Sequence, residues 1–205
     1  MTVIEVYADI WCPFAHVGLR TVIRRRKQLG RDDVVLRVRP WPLELVNGVP
    51  LEPAVTAVHV DELRTQVAPD LFTEFDPGHF PPTTLPALAL AEAGYRRDDM
   101  TGEAVSLALR NALFEEGRDV SSPAVLASVE SAYGLSPPDA EDEGAVRIEW
   151  HEGESRGVKG SPHFFCGKFD AFCPSLDISR NAEGQLLLHR NVETLDVFLA
   201  KCLQS

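Results

Sequence analysis

The residues with the most chemical potential lie near the start of the chain, in the run Asp9, Ile10, Trp11, Cys12, Pro13, Phe14, Ala15 and His16. A cysteine just before a helix-opening proline sits where unpaired backbone N–H groups and the positive end of the helix dipole converge. That setting favours thiolate over thiol and draws cysteine pKa values from about 8.5 down to roughly 3.5–7.5. Cys12 is therefore the expected nucleophile. Pro13 fixes the geometry of the first turn without sacrificing a hydrogen bond. His16 follows one turn later, at the spacing that lets an imidazole move protons to and from a sulfur. Asp9 is expected either to take a proton or hydrogen bond at the site or to cap the helix.

The second signal is Ser161 followed by Pro162, at the end of the run Gly157, Val158, Lys159, Gly160. Proline at the start of an internal strand is tolerated where the backbone takes a special shape, and a cis peptide bond is one such shape.

These residues need elements to position them. Residues 3–8 are short, apolar and β-branched, which predicts a buried strand. From Pro13 the apolar positions Phe14, Val17, Val22 and Ile23 have helical spacing, with Gly30 as the stop. Residues 34–41 return to β alternation, so the opening forms a strand–helix–strand unit with a parallel, right-handed connection. Amphipathic helices then follow, opening at Leu85, at Thr101 as a cap and at Ser122–Pro123, with the acidic run from Asp139 capping another. Residues 163–166 and 186–189 are expected strands, and Asn191 caps a last helix that buries Cys202. Phe72, Phe75 and Phe80 are candidates for a pocket lining or for core. The result is an α/β fold with residues 1–50 and 157–205 as one domain and 51–156 as a helical insertion.

The chain has 205 residues, 44% of them hydrophobic, which is enough for a core in one or at most two domains. The 31 acidic residues against 20 basic ones leave a net charge of −11, which argues against nucleic acid or an anionic membrane as partner. The single basic run, Arg24 to Lys27, is expected to be a solvated helix end. No secretory leader and no membrane-spanning run is evident, so a reducing cytoplasm is the expected location.

Strand, Cys-Pro at the helix start, a long helical insertion, then Gly-Val-x-Gly-Ser-Pro and a strand resembles the DsbA-like branch of the thioredoxin superfamily. Its FrnE, hydroxychromene-carboxylate isomerase and kappa-class glutathione transferase relatives share the element order. The resemblance implies a thioredoxin-like fold with Cys12 as attacking cysteine and Pro162 as the flanking cis-proline. It also implies that Ser161 pairs through its backbone with an extended peptide or glutathione, and that Pro13 and Phe14 complete the substrate-binding surface. Dithiol members carry Cys-x-x-Cys, whereas here the fourth position is Ala15. The glutathione-dependent relatives carry a single serine at the Cys12 position.

A mixed disulfide at Cys12 thus lacks the usual intramolecular release. Glutathione or another low-molecular-weight thiol is the expected cosubstrate, with no tightly bound cofactor. A more distant cysteine is the other route. On a strand rising about 3.3 Å per residue, Cys166 falls some 13 Å beyond Pro162, out of disulfide reach. Cys173 reaches Cys12 only if its loop folds back. A Cys166–Cys173 pair is sterically open but disfavoured by a reducing compartment. His163, Cys166 and Cys173 lack structural zinc spacing, so no metal is expected. Three functions remain: a monothiol DsbA-like oxidoreductase acting on a small-molecule or thiol/disulfide substrate, a glutathione-dependent isomerase or transferase, and a non-catalytic peptide or small-molecule binding domain.

Overall fold

Burial of β-branched side chains places the first strand at the centre of the molecule. The structure, a computed structural model, describes residues 2–203. β1 (Thr2–Ala8) hides Ile4, Val6 and Ala8 completely. α1 (Pro13–Gln28) then carries the chain to β2 (Val34–Pro40), which pairs with β1 in parallel. β3 (His163–Cys166) lies antiparallel on the other side of β1, and β4 (Phe169–Phe172) completes the order β2-β1-β3-β4. Val6 faces Val38 on one flank and Phe164 on the other.

Between β2 and β3 lie α2 (Leu43–Asn47), α3 (Pro53–Gln66), α4 (Leu85–Arg97), α5 (Asp99–Phe114), α6 (Pro123–Tyr133) and α7 (Ala140–Ser155). Asp139 caps α7 reciprocally with Asp142, as the acidic run predicts. Thr101 does not cap α5. Asp98 does, because its carboxylate accepts both the Thr101 N–H at 2.8 Å and the Thr101 hydroxyl at 2.7 Å. The segment 51–156 shares one apolar cluster with Ile10, Trp11 and Val17 before it and Leu186 and Leu188 after it.

Past β4 the structure departs from the pattern read in the sequence. β5 (Leu176–Arg180) and β6 (Leu186–Arg190) form a separate hairpin rather than extending the sheet. β4 and β5 expose alternate or successive residues, so neither shows the apolar run that marks a buried strand. α8 (Val192–Leu203) closes the fold, with the Asn191 side chain accepting from Thr194 N–H at 2.8 Å. Its buried face, Leu195, Phe198, Leu199 and Cys202, joins Ile4, Val6, Leu19 and Val22. The basic end of α1 is not simply solvated: Arg24 pairs with Asp70, Arg25 with Asp196 and Arg26 with Glu103.

The sheet leaves β2 as an edge whose backbone groups need partners. Side chains supply them. Leu36 N–H donates to Glu103 Oε2 at 2.7 Å, Val38 N–H donates to the Tyr95 hydroxyl at 2.8 Å, and that hydroxyl donates to Leu36 O at 2.8 Å. Arg26 Nη1 donates to Val34 O at 2.8 Å. Gln66 does the same for β6, donating to Leu186 O and accepting from Leu188 N–H. Tyr95→Phe leaves two buried backbone groups of β2 unpaired, and urea titration should show a loss of roughly 1–3 kcal/mol. An unchanged midpoint would contradict this edge-capping role.

Candidate active site

Cys12 is the N-cap of α1, in extended backbone, with its Sγ accepting from Ala15 N–H at 3.4 Å. On its other side Sγ donates to the Ser161 carbonyl at 3.0 Å. The Ser161–Pro162 peptide is cis. Pro162 packs onto α1 at Gly18, where a Cβ would come 3.3 Å from the proline ring. A mid-helix glycine costs about 1 kcal/mol relative to alanine, and at Gly18 it marks this close approach. Cys12, the helix start and Ser161–Pro162 are thus brought together, with Pro13 in the first turn.

Phe14 is partly buried against both main apolar clusters, with its ring 5.5 Å from that of His59 on α3.

The expected thiolate is not the resting form. Cys12 is only 5% exposed, and burial pushes its thiol above the ordinary value. The Ser161 hydroxyl and the Ala15 N–H pull the other way, while the charge of Asp9 raises it further. Desolvation outweighs the helix terminus here. Cys12 is buried in the apolar cluster of Ala8, Ala15, Leu19 and Phe164, and the neighbouring Trp11 is held by residues of the loop before α4. Trp11 stacks on Phe80 at 6.0 Å and donates from Nε1 to Pro81 O at 3.2 Å. Phe75 packs edge-on to Phe80. Phe72 belongs to the core, fully buried between His16 and Phe114.

The expected imidazole–sulfur pair does not form. His16 turns away from Cys12 and places Nε2 2.7 Å from Glu115 Oε1, with its ring between Phe72 and Phe114. Burial lowers the His16 pKa, against the pull of Glu115, so the ring is neutral near pH 7. Burial alone would raise Glu115, but hydrogen bonds from His16, Phe72 N–H and Thr73 N–H hold it at about 2. An ionised carboxylate only accepts, so Nε2 carries the proton. Glu115 thereby anchors the loop after α3 at Phe72, whose φ is 64°.

Asp9 does not cap α1. Fully buried, its carboxylate accepts from Trp11 N–H at 3.1 Å, from the Thr84 hydroxyl at 2.8 Å and from Leu43 N–H, while its own N–H donates to Ser161 Oγ at 3.0 Å. Beneath it lies Arg110, also fully buried, donating to Ser106 O and Oγ and to Ala8 O. Its Nε has no hydrogen-bond partner. Burial lowers Arg110 to about 10, opposed by the charges of Asp9 and Cys12, so it remains a cation at neutral pH. Neither Arg110 nor Thr84 was foreseen, since each lies over seventy residues from Cys12 in a helix pattern that looks like any other. All four cysteines are buried thiols, so Cys166 and Cys173 do not form a disulfide.

Residues 3–181 match the family described as the DSBA-like thioredoxin domain. No curated protein matches the sequence. Among solved structures, the fold is similar to a candidate protein disulfide isomerase from Nitrosomonas europaea, with a TM-score of 0.67 and 15% identity over 99% of this chain and 98% of that one. It is also similar to 2-hydroxychromene-2-carboxylate isomerase, with a TM-score of 0.60 and 16% identity over 83% of this chain and 88% of the other. The cytosolic disulfide reductase DsbM from Pseudomonas aeruginosa, solved with GSH, gives a TM-score of 0.61 and 15% identity over 99% and 100% of the two chains. No helix of the described residues is long and apolar enough to cross a membrane.

The Glu115 anchor has a definite pH signature. Its folded pKa is depressed from 4.5 to about 2, so its stabilisation is complete above the unfolded value and is lost as pH falls toward 2. Glu115→Gln should cost roughly 1–3 kcal/mol at neutral pH in denaturant titration. The gap to wild type should narrow below about pH 4.5. A gap that stays constant through the acid range would contradict the assignment.

Proposed function

The chain belongs to the family of DSBA-like thioredoxin domains, and from that premise we propose that it is a thiol–disulfide oxidoreductase whose nucleophile is Cys12. Glutathione or a similar low-molecular-weight thiol is its cosubstrate. The carrying observation is the position of Cys12 Sγ, at the N-terminus of α1 and against the Ser161 carbonyl. Cys12 attacks one sulfur of a disulfide, forming a Cys12–substrate mixed disulfide and expelling the other sulfur as a thiol. The proton leaves Cys12 and ends on that departing sulfur. As Sγ gains charge, the Ser161 hydroxyl and the Ala15 and Phe14 N–H groups stabilise it.

In this reading Pro13, Phe14, Ser161 and Pro162 form the surface that receives the substrate, and His16 is a positioning residue that holds α1 to the Phe72 loop through Glu115. The low-molecular-weight thiol supplies the reducing equivalents that return Cys12 to the thiol, because Ala15 leaves the motif without its own second cysteine. The likeness in fold to DsbM, solved with GSH, supports the choice of thiol. A reducing compartment such as the cytosol suits a cysteine that must return to the thiol after each cycle.

Ala15 also favours a second reading, in which the start of α1 activates a bound glutathione for isomerisation or transfer, without a covalent bond to the protein. Mass spectrometry separates the two. Exposed briefly to glutathione disulfide and quenched in acid, the wild-type protein should carry a glutathionyl adduct that maps to Cys12, and Cys12→Ser should carry none. An adduct confined to other cysteines, or none at all, would contradict the oxidoreductase reading.

A further inference from the structure

After β4 the chain folds back over the Ser161–Pro162 loop, and Cys173 N–H donates to the Pro162 carbonyl at 3.0 Å. Cys12 Sγ donates to the neighbouring carbonyl, that of Ser161, at 3.0 Å. Two cysteines from opposite ends of the chain therefore attach to consecutive peptide units of one loop. Cys173 holds a φ of 46°, the left-handed region where a Cβ is disfavoured and glycine is the usual occupant. Such a conformation costs on the order of 1–3 kcal/mol and is typically retained at functional sites. The cysteine sits in a bend leading to the turn at Pro174 and Ser175, outside the strand ladders, so its Cα is not locked by sheet pairing.

Resting on the reading of Cys12 as nucleophile, we propose that Cys173 is the second thiol of the reaction, which attacks a mixed disulfide at Cys12 and closes an intramolecular Cys12–Cys173 disulfide. It would replace the resolving cysteine that Ala15 removes from the motif. Cys166 and Cys202 are engaged with each other, since the Cys202 thiol is raised by burial and by its hydrogen bond with Cys166, whereas the charge of Cys12 acts on Cys173. Burial opposes ionisation of Cys173, pushing its thiol up to about 12 with the Cys12 charge adding to that. A mixed disulfide at Cys12 eases ionisation by removing one of the two influences that raise the thiol.

The step balances as thiol–disulfide exchange. Cys173 Sγ bonds to Cys12 Sγ, the bond from Cys12 to the substrate sulfur breaks, and the Cys173 proton ends on the released substrate thiol. Over both steps one substrate disulfide becomes two thiols, and the protein loses two hydrogens. Two molecules of a low-molecular-weight thiol reverse that oxidation and leave as their disulfide.

The test compares wild type, Cys173→Ser and Cys173→Gly after a pulse of glutathione disulfide, with acid quench, intact mass and peptide mapping over time. The glycine variant relieves the left-handed backbone and guards against a folding defect in the serine variant. Wild type should convert its Cys12 adduct to a Cys12–Cys173 disulfide, seen as a species two hydrogens lighter than the reduced protein. Both variants should hold the Cys12 adduct about tenfold longer or more. Equal adduct lifetimes in all three proteins would overturn the role of Cys173 while leaving Cys12 as nucleophile. Absence of a Cys12 adduct from both variants would overturn the reading on which the inference rests.

Discussion

A fully buried carboxylate, that of Asp9, holds the site together. Burying a charge costs several kcal/mol unless it is hydrogen-bonded and countered. Asp9 meets both conditions by drawing in distant segments: Trp11 from the turn before α1, Leu43 at the start of α2, Thr84 at the cap of α4, and Arg110 as a cation beneath. Its own N–H holds Ser161 through the hydroxyl. The turn that presents Cys12 and the loop that receives it are thus fixed to the same residue. Burial raises the Asp9 pKa against the pull of these hydrogen bonds and of Arg110, and an ionised Asp9 in turn raises the Cys12 thiol while Arg110 favours the thiolate.

The resting site is closed and protonated. Cys12 is buried in the cluster of Ala8, Ala15, Leu19 and Phe164, and Glu115 ties the Phe72 loop to His16. Desolvation is the largest influence on the thiol and raises it. Against it act the helix terminus, the Ser161 hydroxyl and the Ala15 N–H, all of which favour negative sulfur.

Local signals in the sequence carried the framework. Residues 3–8, the Pro13 start, Gly30, Ser122–Pro123 and Asn191 each mark an element that forms, because strand burial and helix capping depend on near neighbours. The Cys12 and Ser161–Pro162 signals were legible for the same reason. What escaped the sequence depends on residues far apart in the chain. Burial of Cys12 involves Phe164 from β3, the partner of His16 is ninety-nine residues away, and Arg110 reaches Ala8 from α5. Helix spacing put His16 beside Cys12, but Cys12 as N-cap points its sulfur toward the Ser161 loop while His16 enters the core. β4 and β5 carry exposed residues at positions where a buried strand would be apolar, so their pairing was invisible.

The central claim is that the sulfur of Cys12 itself is covalently engaged in every turnover. The direct measurement is steady-state reduction of a small mixed disulfide by glutathione, followed with wild type and Cys12→Ser at equal concentration after both are shown to be folded. The account predicts turnover by wild type and a fall to the uncatalysed background in the serine variant. Substantial turnover by Cys12→Ser would contradict it, and would point instead to a site that activates bound glutathione without forming a bond to the protein.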